Sequence, residues 1–222
     1  MGTFDSWYDV AVTQPLIRVA TAEDRDVVVA TFIAAFAADP AVRYFLPDDE
    51  TYPMEATKLG GQLFDSRVGR GSVWLADEGA AIAMWDPPRR SVPTPSALPA
   101  LPAKPNDHLP LGGEDASHGG AEGVADTDRF ARYQSVVHKA MPQFPYWYLG
   151  VLAAHPEHWG RRLGRAVMAA GLDRASADRL PAYLETSAPK NVEVYRSAGF
   201  AVEKELMVDD LPVWIMRFDP PA

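Results

Sequence analysis

The residues best suited to chemistry cluster in Val151-Leu-Ala-Ala-His-Pro-Glu-His-Trp-Gly-Arg-Arg-Leu-Gly-Arg165. An apolar run ends there, a loop turns at Pro156, and a helical pattern opens near Gly160. The unsatisfied amides of a helix N-terminus, with the helix dipole, form an anion site. Gly160 and Gly164 allow close approach of the backbone, and Arg161, Arg162 and Arg165 add guanidinium groups suited to phosphate. Neither GxxxxGK followed by Ser or Thr nor G-x-G-x-x-G is present, so the segment is not a P-loop or a dinucleotide fingerprint. The expected ligand carries phosphate and sits at a strand–helix turn.

A second cluster is Leu184-Glu-Thr-Ser-Ala-Pro-Lys-Asn191 followed by Val194-Tyr195-Arg-Ser-Ala-Gly-Phe200. Asn191 and Tyr195 stand at i and i+4 and share one helix face. Tyr195 is a proton donor or a packing aromatic. Glu185 is a general base or a strand-edge carboxylate paired with an arginine. His155 is a further base candidate, although a His before Pro in a loop is more often a surface residue. The five histidines are scattered, and Pro156 separates His155 from His158, so no metal site is expected.

The elements that must position these groups follow from periodicity. Leu16–Val19 reads as a strand, and Thr21-Ala-Glu-Asp24 as a capping box opening a helix over 22–38 that Asp39-Pro40 stops. A helix is expected over 52–67. Ser72–Ala76 and Ala80–Trp85 form a hairpin about Asp77-Glu-Gly79. From Asp86 to Ala125 the chain is dense in Pro and Gly, which reads as a mobile lid or a spacer. Asp126–Ala140 regains helical character. Trp147–Ala153 is nearly continuous in apolar residues, as a central strand buried on both faces would be. A helix follows with Leu163, Ala166, Val167 and Ala170 on one face. Ala182–Thr186 is a strand, Pro189 opens a short helix closed by Gly199, and 200–208 and 212–218 form a terminal hairpin. Strand, helix, strand in the second half implies a parallel βαβ unit. The whole is one α/β domain over 15–222 with an insertion at about 86–125, preceded by an extension over 1–14.

Composition narrows the function. The 222 residues include no cysteine, which excludes disulfides, thiolate metal sites and a cysteine nucleophile, and suits a cytoplasmic location. The formal net charge of −9 disfavours nucleic acid and favours a cationic partner such as a small amine. No apolar stretch is long enough to span a membrane, and the first 14 residues hold Asp5 and Asp9 without a basic residue, unlike a targeting peptide.

The first cluster resembles the coenzyme A pyrophosphate loop of the GNAT acetyltransferase superfamily, Gln/Arg-x-x-Gly-x-Gly/Ala. Aligned on it stand Trp159, Gly160, Arg161, Arg162, Leu163 and Gly164, with Trp159 in place of Gln or Arg and Arg162 in place of the central glycine. A register two residues later, Arg161-x-x-Gly164-x-Ala166, fits literally; the first is preferred for its spacing from the preceding strand. In that register the amides serve phosphate if Arg162 keeps helical dihedrals. The second cluster resembles the family's later motif, in which the Asn contacts the coenzyme and the Tyr protonates the leaving thiolate. Ile17-Arg-Val-Ala-Thr21, Phe36-Ala-Ala-Asp-Pro40 and Val73-Trp-Leu-Ala-Asp77 extend the resemblance, which is nearest to the puromycin N-acetyltransferase group and implies an antibiotic-modifying or similar small-molecule ancestor.

The resemblance implies a mixed sheet of about six to seven strands, splayed at the coenzyme site and flanked by helices. It implies acetyl-coenzyme A as cosubstrate, no metal, and direct transfer of acetyl to a primary amine of a small molecule in a ternary complex, by a monomer or homodimer. Amides at Val151, Leu152 and Ala153 would polarise the thioester carbonyl, Tyr195 would be the acid, and Glu185 or a water chain the base. The coenzyme would contact 159–165 and Asn191. The alternatives are a protein or peptide N-acetyltransferase, and a coenzyme A-binding regulatory module with weak or no catalysis.

Overall fold

A computed structural model describes residues 14–88 and 127–221. The expected 1–14 extension, save Gln14, and the expected lid beyond Pro88 lie outside the described residues.

The strands are β1 (Ile17–Val19), β2 (Val73–Ala76), β3 (Ala81–Asp86), β4 (Trp147–Ala154), β5 (Ala182–Thr186), β6 (Ala201–Val208) and β7 (Leu211–Phe218). The helices are α1 (Arg25–Phe36), α2 (Pro40–Phe45), α3 (Tyr52–Val68), α4 (Thr127–Ala140), α5 (Leu163–Ala177) and α6 (Pro189–Ser197). The strands form a seven-stranded sheet in the order β1-β2-β3-β4-β5-β7-β6, so the apolar β4 is its middle strand. Every neighbouring pair is antiparallel except β4 with β5.

Side chains alternate between two cores, as the two-residue period of a strand requires. Val73, Leu75, Ile82 and Met84 face one core, which is closed by α1, α3 and α4. Trp74, Ala76, Ala81, Ala83 and Trp85 face the other, closed by α5 and α6. The α5 backbone lies so close to the sheet that a Cβ on Gly171 would stand 2.1 Å from the Trp85 ring.

The structure corrects four expectations. The Thr21 capping segment is a 3₁₀ turn over Ala22–Asp24, and α1 proper begins at Arg25. Asp39-Pro40 does stop α1, but it also starts the unforeseen α2: Asp39 is its N-cap, accepting from the Ala41 and Val42 amides at 3.0 Å each, and Pro40 supplies a preset φ. Asp86 does not begin an insertion. It ends β3, paired with the fully buried Arg67 at 2.5 Å and with Arg70 at 3.2 Å. Finally, α5 starts at Leu163 and not at Gly160.

Candidate active site

The parallel pairing of β4 with β5 stops after Trp147↔Ala182 and Tyr148↔Tyr183, although β4 runs on to Ala154 and β5 to Thr186. The two strands therefore diverge, and Leu149 to Ala154 present an edge with no ladder partner on that side. On the other side, Trp85 pairs with Leu149 and Met84 with Val151, which leaves Gly150 as the extra residue of a β-bulge. The bulge shifts the alternation by one, turning Val151 and Ala153 to the α1–α3 core and Leu152 to the α5 side.

A cleft of about 720 Å³, its open mouth included, fills the gap. Leu149 to Leu152 form one side, and Glu185, Asn191 and Tyr195 another. Of the residues expected at the site, the structure thus brings together Val151, Leu152, Glu185, Asn191 and Tyr195, while Ala153 points into the core. Residues 159–165 do not line this cleft; they form the turn at the far end of β4.

In that turn Gly160 has φ +82° and Arg162 has φ +59°, a left-handed conformation that costs a residue bearing Cβ about 1–2 kcal/mol. Arg162 therefore does not keep the helical dihedrals on which amide contact with phosphate was conditioned. It is the N-cap residue of α5 and holds an αL geometry that glycine would adopt more freely. Arg161 is already engaged, with Asp77 at 2.8 Å, so it is not aimed at a ligand. Arg162 and Arg165 are exposed and form no ion pair among the described residues. Leu163 is buried in the α5 core. Above Gly164 there is open space for 4 Å. Trp159 is 63% exposed, its indole N–H donates to the Ala154 carbonyl at 2.9 Å, and Lys190 of α6 stands 5.9 Å from its ring centre. His155 caps the 3₁₀ turn over Pro156–His158, away from the cleft.

Tyr195 is 8% exposed and reaches the cleft from α6, where the left-handed Gly199 ends the helix as expected. Burial, and then the charges of Asp39 and Glu185, push its hydroxyl above the ordinary phenol value and keep it protonated. Glu185 forms no ion pair among the described residues, although the charge of Arg67 reaches it. It accepts from the Tyr148 hydroxyl at 2.5 Å, and burial pushes its carboxyl up to about 7 against that hydrogen bond. Such a group exchanges protons near neutral pH.

The opposite wall of the cleft was not legible in sequence. It consists of Phe32, Phe36, Phe45, Leu59 and Leu63, with the half-buried Asp39 set among them. Burial also raises the Asp39 carboxyl, and the amides it caps and the charge of Lys190 oppose that. Tyr133 of α4 also lines the cleft, with its phenol raised by burial and by Glu185. Its parts were visible in sequence as the apolar character of α1, Leu59 and Leu63 at helical spacing and the Asp-Pro pair, but not that they meet in one cleft.

No group of His, Asp or Glu among the described residues is arranged to hold a metal ion. No helix among them is long and apolar enough to cross a membrane.

Residues 124–200, which span α4 through α6, match the model of the acetyltransferase (GNAT) family. The chain is similar to a solved structure described as a histone acetyltransferase and related acetyltransferase from Corynebacterium glutamicum, at 22% identity and TM-score 0.63 over 94% of this chain and 97% of that one. It is similar to arylalkylamine N-acetyltransferase 2 of Aedes aegypti, at 11% identity and TM-score 0.61 over 94% and 100%. It is also similar to an agmatine N-acetyltransferase, at 12% identity and TM-score 0.60 over 92% and 99%. The splayed β4–β5 pair, the turn before α5 and the Asn191–Tyr195 helix thus lie within a segment that matches the GNAT acetyltransferase family, on a chain that carries the GNAT fold.

Proposed function

We propose that the protein is an acetyl-coenzyme A-dependent N-acetyltransferase acting on the primary amine of a small molecule, in keeping with its resemblance to the puromycin N-acetyltransferase group. The carrying observation is the divergence of β4 and β5 after Tyr148/Tyr183, which leaves a backbone edge ending beside Tyr195 and Glu185. That edge suits the amides of a pantetheine arm by strand addition. The turn at 160–165, with Arg162 and Arg165 uncommitted, suits the pyrophosphate. Acetyl-coenzyme A brings the acyl group as a thioester.

Val151 and Leu152 would present main-chain dipoles to the carbonyl oxygen as negative charge develops on it. Glu185 would take the proton the amine loses as its nitrogen forms the new C–N bond. Tyr195 would give its proton to the sulfur as the C–S bond breaks, and would regain one from solvent. Its raised value makes it a weak acid, which suits so basic a leaving group as a thiolate. A cytoplasmic location suits the absence of cysteine, and the protein would act as a monomer or homodimer.

The test is an acetyl-coenzyme A titration beside an amine-dependent thiol-release assay. Binding together with thiol release that requires amine is expected. Binding without release from any amine would make the protein a coenzyme A-binding module instead.

A further inference from the structure

We infer that Asp39 selects the acceptor, holding the ammonium group of a small primary amine whose apolar body lies against the α1–α3 wall of the cleft. The inference rests on the acetyltransferase reading for the identity of the cleft, and on three observations of its own.

The first is an unused oxygen. Both capped amides, Ala41 and Val42, donate to the same atom, Asp39 Oδ1. Oδ2 makes no hydrogen bond or ion pair among the described residues, and the residue lines the cleft. Lys190 influences Asp39 electrostatically but stands over the Trp159 ring and forms no ion pair with it. A partly desolvated carboxylate with half its acceptor capacity idle is relieved by a cation entering the cleft.

The second is the company Asp39 keeps. Phe32, Phe36, Phe45, Leu59 and Leu63 share the cleft lining with it and make that part of the cleft apolar. A strongly hydrated polycation would lose much of its hydration there without recompense. A single ammonium on an aryl or branched alkyl body satisfies both the carboxylate and the wall.

The third is position. Asp39 belongs to the α1–α2 junction, while Glu185 and Tyr195 come from β5 and α6, and all three line the same cleft. The charge of Asp39 reaches the Tyr195 hydroxyl. An amine anchored at Asp39 therefore lies in the same cleft as the β4 edge and as the residues that would serve the transfer. Asp39 recognises the cation on entry; the bound ammonium gives one proton to solvent before attack, and Glu185 takes the second as the C–N bond forms, so the two carboxylates have separate tasks.

The experiment uses the whole protein with unacetylated coenzyme A, so that no turnover occurs. Calorimetry compares 2-phenylethylamine at pH 7 with 2-phenylethanol, a neutral probe of nearly the same shape. A charge-assisted contact to a desolvated carboxylate predicts a preference for the amine of roughly 10- to 100-fold. Asp39→Asn keeps a side-chain oxygen to cap α2 and removes the charge. It is expected to bind both probes alike, within about threefold, with the dissociation constant for acetyl-coenzyme A unchanged. Asp39→Ser, an equally good cap, provides a second neutral variant should the first fold poorly. A wild-type protein without amine preference, or neutral variants that retain it, would overturn the inference. Failure of the wild type to bind acetyl-coenzyme A would refute the acetyltransferase reading; repeating the probe comparison without coenzyme still decides for or against Asp39.

Discussion

At the scale of single residues, the account turns on where protons sit. Glu185 is raised to about 7 by burial, so a base role requires kcat/KM to climb with pH and level off above that value. Glu185→Gln should remove the limb and slow the reaction roughly 10²-fold or more. The same shift acts on stability with a definite sign. Between about 4.5 and 7 the folded protein holds this proton more firmly than the unfolded chain, so the contribution of Glu185 to stability falls as pH rises through that window. Glu185→Gln, which can still accept from Tyr148, should therefore melt several degrees higher than wild type at pH 8 and about the same at pH 4, as a pair of thermal scans would show. Asn191, Tyr195 and Glu185 were legible in sequence because they lie within ten residues, at helix and strand spacings. Asp39, Tyr148 and Tyr133 were not, because only the fold brings residues 39, 133 and 185 into one cleft and sets Tyr148 against Glu185.

At the scale of elements, α5 carries two glycines of opposite meaning. Gly171 faces Trp85 so closely that Gly171→Ala must displace the indole or the helix, and should cost about 1–3 kcal/mol in denaturant titrations despite the better helix propensity of Ala. Gly164 faces open space, so Gly164→Ala should be neutral or stabilising by up to about 1 kcal/mol. If phosphate approaches the backbone there, that same variant should weaken acetyl-coenzyme A binding at least severalfold while its Tm holds or rises. An unchanged dissociation constant would move the phosphate site elsewhere. Both glycines were visible in sequence, but which one met protein and which met space was not. The left-handed φ of Arg162 was likewise illegible, since a long polar side chain gives no local signal for αL. The short α2 was missed because the Asp39-Pro40 pair that ends one helix also has the chemistry to begin the next.

At the scale of the whole molecule, the order of strands and helices was legible because periodicity and turn residues act locally. The strand order rests on the apolar β2 and β3 runs about their turn, the apolar β4 and the βαβ crossover through α5, whereas the seven-stranded mixed sheet was what the family resemblance implied. The extent of the splay was not written in any one segment. It arises where the β4 bulge at Gly150 meets a β5 that pairs for only two residues, and these belong to different stretches of chain. Elsewhere the sheet holds that opening in place. The β6–β7 turn, for example, ties α2 and α4 together, with Tyr44 and Arg132 each donating to Asp209 at 2.5 Å. The central claim is that this opening is an acetyl-transfer site in which Tyr195 protonates the departing thiolate. Single-turnover kinetics of Tyr195→Phe, with an amine that the wild type acetylates, test it most directly. The variant keeps the ring packing against Phe200 and loses one hydroxyl. The account predicts that the rate of acetyl transfer falls roughly 10²- to 10⁴-fold while the acetyl-coenzyme A dissociation constant stays level, because the lost interaction operates in the transition state. A wild-type transfer rate in the variant, with chemistry as the step observed, would contradict it and return Tyr195 to a packing role.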